Sequence, residues 1–154
     1  TEIYTLSLHD ALPISVESVA LPPGKHLSAG ALEVVLRGDQ GAPPAPSAAS
    51  RLAWLRRCES GQRLEVSCLA LGSARLLHLP GELFVEYQLA AKAMRPDLFV
   101  AMAAYGDYAP WYIGTAAAYE QGGYETSPGA SNVAPESEAV LLSAIRKLLI
   151  GPPP

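Results

Sequence analysis

Apolar and polar side chains alternate with period two over residues 64–71, and a shorter run of the same kind covers 75–79. Gly72-Ser73 between them reads as the turn of a β-hairpin. Residues 16–21 form another β-prone run, stopped by Pro22-Pro23-Gly24, because proline fixes φ and has no N–H to give to a ladder. The period becomes that of a helix over 28–37, where Leu32, Val35 and Leu36 share a stripe. It does so again up to Arg57, where Leu52, Trp54 and Leu55 turn inward and Ser47 or Ser50 is placed to cap. Between these two helices, residues 38–47 hold Gly41 and three prolines and read as a loop. A third helix is predicted over 82–94, with Leu83, Tyr87, Ala90 and Met94 on one face, ended by Pro96. The near-continuous apolar run 98–104 suits a strand buried on both faces of a sheet. The last helix is predicted over 135–149, with Pro135 in its first turn, Glu136 and Glu138 near its positive end, and Arg146 and Lys147 near its negative end.

A hairpin, a sharp turn, a helix and a further strand, in that order, predict the α/β class: a partial mixed sheet with flanking helices, one layer of a larger protein. Composition narrows the functions such a layer can serve. The 154 residues are 49% hydrophobic and 17% charged, which excludes long disorder and coiled coil. A net charge of −4 with no basic run gives no footprint for nucleic acid or an anionic membrane surface. No apolar stretch approaches the ~18–20 residues of a bilayer-spanning helix. Cys58 and Cys68 form no metal-spaced pair and read as small hydrophobes or one optional bridge.

The sharpest local feature is His78-Leu-Pro-Gly-Glu82. A carboxylate at the break between a strand and a helix stands at the carboxyl edge of a sheet, where α/β proteins bind ligands, and a helix N-terminus keeps it ionised. Glu82 therefore reads either as a metal ligand or as a first-turn acid that neutralises a dipole. His78 reads as a core histidine on an apolar strand, and it lies far in sequence from His26. A second feature is the segment 105–129, which holds five of the chain's seven tyrosines among glycines. Phenols there can line a pocket, donate to an oxyanion or, once deprotonated, bind a metal; they can equally be the packing of a rigid surface loop. No nucleophile elbow, P-loop or dinucleotide glycine pattern is present, so serine hydrolases, nucleotide triphosphatases and nicotinamide enzymes gain no support.

With Leu79-Pro-Gly-Glu82, Tyr112-Ile-Gly-Thr115 and Tyr119 through Tyr124-Glu125, residues 76–125 resemble the C-terminal part of the catalytic domain of neutral/alkaline ceramidases. That family cleaves the amide of N-acylsphingosines with a zinc ion held by two histidines, a glutamate and a tyrosine. The resemblance implies a ceramide-like lipid amide as substrate, Glu82 and Tyr112 as metal ligands, and Tyr119 and Tyr124 as catalytic tyrosines, Tyr124 being the one to steady an oxyanion. The histidine ligands would lie upstream, since neither His26 nor His78 sits in a matching motif. Zinc is thus expected in a full-length parent, and this chain by itself is expected to be inactive and essentially metal-free. Leu83-Phe84-Val85-Glu86-Tyr87 departs from the family, which often has Arg-Arg after Pro-Gly-Glu. That departure loosens the tie to ceramide and leaves a second reading: a non-catalytic relative that binds a sugar or lipid head group through its tyrosine-rich loop.

The first fourteen residues resemble, residue for residue, a translated short-read sequencing adapter. The expected organisation is accordingly an adapter-derived artefact over 1–15, a C-terminal ceramidase-like fragment over 16–150 and a proline-rich tail over 151–154. Localisation is left open by this reading.

Overall fold

The computed structural model describes residues 14–38 and 46–151. Nearly all of the adapter-like segment, most of the predicted loop 38–47 and nearly all of the proline tail lie outside them. The described chain runs β1 (Ile14–Val19), α1 (Ala29–Arg37), α2 (Pro46–Glu59), β2 (Leu64–Leu71), β3 (Ala74–His78), β4 (Glu82–Leu83), α3 (Val85–Met94), β5 (Phe99–Ala103), β6 (Tyr112–Ile113), α4 (Ala116–Gln121) and α5 (Ser137–Ile150).

Four strands form a mixed sheet in the order β1-β2-β3-β5. β1 and β3 flank β2 antiparallel, and β5 joins β3 in parallel after a crossover through α3, with Ala74 opposite Phe99. The sheet is covered on one face. Val19, Leu64, Val66, Cys68, Leu77 and Val100 point into a core shared with Tyr87 and Ala91 of α3 and Leu141, Ala144, Ile145 and Leu148 of α5. Leu77 is fully buried, and cutting it to alanine would cost about 2–5 kcal/mol by lost contacts and cavity formation. On the opposite face Ile14, Val16, Leu71, Leu76 and Phe99 are exposed, so among the described residues this mixed sheet has a partner layer on one side only.

This arrangement corrects two expectations about single strands. β5 is an edge strand and alternates in burial, with Phe99 exposed and Val100 buried; its apolar run does not mark burial on both faces. His78 is an exposed residue at the end of β3, because its register places it with Ser67 and Val16 on the uncovered face.

Helix ends follow local chemistry. Ser28 caps α1 by accepting from the Ala31 N–H, and Gly38 closes it at φ 69°. α2 starts at Pro46, where proline's missing N–H leaves no helical bond unmade. Neither serine proposed as its cap stands there; Ser50 instead returns its hydroxyl to the Ser47 carbonyl. Cys58 and Cys68 are both free thiols. Residues 22–24 run beside 132–134: Gly24 N–H and the Trp54 indole N–H both donate to the Asn132 carbonyl, and Ala134 N–H donates to that of Pro22. Among the described residues no helix is long and apolar enough to cross a membrane.

Candidate functional site

After β3 the chain passes through buried Leu79 and Pro80 to Gly81, whose φ of 62° is a left-handed conformation that glycine adopts freely. The turn is tied from two sides. Gly81 N–H donates to the Asp107 carbonyl at 2.7 Å, Tyr105 N–H donates to the Gly81 carbonyl at 2.8 Å, and Glu82 N–H donates to the Trp111 carbonyl at 2.8 Å. These bonds lay Glu82-Leu83 alongside Tyr112-Ile113 as a parallel two-residue ladder, in which Glu82 is the register partner of Tyr112. Residues paired in this way point to the same side of a ladder. The carboxylate and the phenol, thirty positions apart in sequence, are therefore neighbours.

Glu82 does not open a helix. α3 starts at Val85 with Phe84 at its N-cap position, so the environment of the carboxylate comes from β6 and the tyrosine loop and not from a helix dipole. The negative charge of Glu82, with burial and a hydrogen bond to Glu82 adding to it, raises the pKa of Tyr112 above the ordinary phenol value. Tyr105 is raised too, first by its hydrogen bond to Glu82 and then by burial and the same charge. Beside Glu82 alone, then, Tyr112 is a proton-holding phenol. Only a cation between the two groups would favour its phenolate.

Tyr124 meets Tyr112 edge to face, with ring centroids 6.3 Å apart and planes at 74°, and is 70% exposed. Tyr119 is placed differently. Its hydroxyl lies 2.7 Å from that of buried Ser131, which in turn donates to the Tyr112 carbonyl at 2.8 Å, so Tyr119 braces the backbone of Tyr112. Burial raises its pKa. Two further members had no motif to announce them, only the tyrosine-rich composition. Tyr105 stands near enough to Glu82 for the carboxylate to raise its pKa, and Tyr108 packs on Tyr105 with centroids 5.7 Å apart. Tyr105 and Trp111 are the two non-glycine residues with positive φ among those described, and both belong to this loop.

His78 is held elsewhere. Its ring lies against Gly106, where a β-carbon would come within 2.5 Å of it, and it lines a cleft of about 540 Å³ with Arg57, Ser67 and Asp107 on the uncovered sheet face. Arg57 donates to Asp107 there at 2.5 Å. His26 packs beside Gly24, and burial followed by the charge of Arg51 lowers its pKa. Were a zinc ion to bind here, Glu82 and Tyr112 would offer two oxygen donors of the four such ions take. Among the described residues no three histidine, cysteine, aspartate or glutamate side chains cluster to hold a metal. The pair fits part of a coordination sphere and does not close it.

No family model matches the sequence, and no curated protein matches it. Among solved structures, the chain is similar to neutral ceramidase from Pseudomonas aeruginosa, with 19% identity and a TM-score of 0.51, over 88% of this chain and 24% of that one. It also matches a ceramidase complexed with C2, with 21% identity and a TM-score of 0.49, over 57% of this chain and 14% of that one. The likeness is one of fold. The chain spans about a quarter of the length of the Pseudomonas enzyme.

Proposed function

We propose that this chain is part of a zinc-dependent amidohydrolase of the neutral-ceramidase type, in which Glu82 and Tyr112 supply two metal ligands and histidines outside the described residues supply the rest. The pairing of Glu82 with Tyr112 across a parallel ladder carries the reading, because it puts one carboxylate and one phenol where a single cation can take both. The ceramidase-like fold supports it. A zinc ion there would polarise an amide carbonyl and make hydroxide available at neutral pH. Tyr124, exposed at the rim and edge-on to Tyr112, is the phenol free to donate to a developing oxyanion, while Tyr119 keeps Tyr112 in place through Ser131. The substrate class is a lipid amide related to N-acylsphingosine.

The test compares the chain with a longer reading frame that contains it. The chain alone is expected to bind zinc weakly in a calorimetric titration, whereas the longer protein binds one zinc, hydrolyses an N-acylsphingosine amide and loses both properties on Glu82→Ala. Tight, stoichiometric zinc binding by the short chain would overturn the incomplete-site reading. A longer protein that neither binds zinc nor cleaves the amide would overturn the hydrolase reading.

A further inference from the structure

Three side chains of α2, Arg51, Trp54 and Arg57, recur at every third position and so share one face of the helix. All three reach into the segment 107–132, which carries Tyr112. The Arg57 guanidinium donates to the Asp107 carboxylate, whose other oxygen accepts the Ala109 N–H at 3.2 Å. The Trp54 indole N–H donates to the Asn132 carbonyl at 2.9 Å, and the Asn132 side-chain amide donates to the Ala109 carbonyl at 2.9 Å. Arg51 donates to the Gly129 carbonyl at 2.8 Å, and its guanidinium lies 4.7 Å from the centre of the Trp111 ring. The peptides gripped in this way are those that hold the Glu82–Tyr112 ladder. The carbonyl of Asp107 accepts from Gly81, that of Trp111 accepts from Glu82, and that of Ala130, next to Gly129, accepts from Tyr112.

The Arg57–Asp107 pair differs from the other four ion pairs found among the described residues. Its side chains are 25% and 30% exposed, whereas each of the others has one member at least 60% exposed. Water screens a sheltered pair less, and removing one partner leaves the other charge poorly compensated, so this pair is the one of the five suited to fasten a loop. The loop requires fastening. Tyr105 and Trp111 sit at φ 65° and 58°, a strained conformation for bulky residues that persists where the surroundings impose it. These two positions bracket the stretch 107–110 that Arg57 and Asn132 hold, and Arg51 covers the Trp111 ring itself through a cation–π contact.

We propose that α2 is the positioning element of the Glu82–Tyr112 pair, with Arg51 and Arg57 as its positioning residues at two separate points of one helix face. Their action passes through the backbone. Arg57 acts through Asp107 on Gly81; Arg51 acts through Trp111 on Glu82 and through Gly129 on the neighbouring peptide that bonds Tyr112. Released from α2, the loop relaxes toward negative φ, and the Trp111 carbonyl turns away from the Glu82 N–H. The inference deepens the hydrolase reading and rests on it for the purpose of the pair, since one cation can take both oxygens only while they keep a fixed spacing. The placement itself requires no metal. Simple packing of α2 makes a different claim, because its loss would open the whole domain and not the ladder alone.

The experiment is amide hydrogen exchange of the chain, followed by NMR at Glu82 and Tyr112, with buried Val66 and Cys68 of β2 as reporters of global opening. Arg57→Ala should speed exchange at Glu82 and Tyr112 by about tenfold or more, as loss of a charge-assisted hydrogen bond predicts, and leave Val66 and Cys68 within about twofold. Arg51→Ala should speed the same two amides by several fold, and Arg51→Lys, which keeps a cation over the Trp111 ring, should recover part of the protection. Exchanging the partners, Arg57→Asp with Asp107→Arg, should restore most of what Arg57→Ala loses. If Arg57→Ala does not fold, Arg57→Lys takes its place, with a smaller rise expected at the same amides. In a longer reading frame that contains the chain, both alanine variants should weaken zinc in a calorimetric titration by a similar factor. Unchanged exchange at Glu82 and Tyr112, or an equal rise at Val66 and Cys68, would overturn the inference, as would zinc held as tightly by the longer variants as by the longer wild type. A longer wild type that binds no zinc would overturn the hydrolase reading instead, and the exchange rates of the chain would then decide by themselves whether α2 places the pair.

Discussion

The α-carbon of Gly81 stands so close to the Trp111 carbonyl that a β-carbon on it would lie 2.6 Å from that oxygen. The same carbonyl accepts the N–H of Glu82, so any side chain at 81 pushes on the bond that sets the Glu82–Tyr112 register. Gly81→Ala should therefore lower stability by about 1–3 kcal/mol, read from the urea midpoint, through both the left-handed φ and the contact. A fully stable Gly81→Ala protein would show that the turn is looser than described.

Tyr87 is buried and donates its hydroxyl to the Gly114 carbonyl at 3.0 Å, tying α3 to the segment between β6 and α4. Tyr87→Phe leaves that carbonyl unpaired and should cost about 1–2 kcal/mol in chemical denaturation. Burial, with the nearby Glu138 charge second, raises the Tyr87 pKa. A group raised in the folded state stabilises fully below its unfolded pKa, and that contribution is lost as pH rises beyond it. Wild type should accordingly lose stability above about pH 10, and Tyr87→Phe should lose less over the same range in a pH series of thermal melts.

Asp97 behaves in the opposite sense. Its hydrogen bond from Arg95 holds its pKa down at about 2. A depressed carboxylate stabilises above its unfolded pKa, so this contribution is intact at neutral pH and fades as pH falls through about 2. Because the Asp97 carboxylate is exposed, Asp97→Asn should lower neutral-pH stability only slightly and flatten the acid limb of the melting curve by the same small amount.

The sheet's open face predicts association. Among the described residues Ile14, Val16, Leu71, Leu76 and Phe99 present apolar surface with no covering layer, and β1 and β5 are both edges. Sedimentation velocity should show concentration-dependent self-association of the chain. Leu76→Lys with Phe99→Glu should suppress it and move stability by no more than about 0.5 kcal/mol per site. Association that persists in the double variant would point to another surface.

How far these features could be read in advance depends on the range over which each residue's environment is set. β2 was legible because its alternation records burial on one side and openness on the other, and α5 because Leu141, Ile145 and Leu148 keep helical spacing against the sheet. β4 and β6 were not legible. A two-residue ladder has no period, and what makes Glu82 a strand residue is the Trp111 carbonyl, twenty-nine positions away. The reading of Glu82 as a helix-opening acid failed for that reason. The apolar run around β5 suggested burial on both faces because local sequence cannot say that the sheet ends there. In the site, the neighbourhood of Glu82 and Tyr112 was legible only through motif resemblance. Tyr105 and Tyr108 escaped because their approach depends on a positive-φ turn that tyrosine does not advertise.

The pairing of residues 22–24 with 132–134, clasped by the Trp54 indole on the Asn132 carbonyl, has a consequence for biosynthesis. A ribosome delivers the early strand and the α1–α2 hairpin more than seventy positions before the segment they need. Those elements must wait, with Trp54 and Leu21 unsheltered, until residues 132–134 have emerged. Chaperone demand should therefore last on nascent chains until that later segment is available to close the clasp.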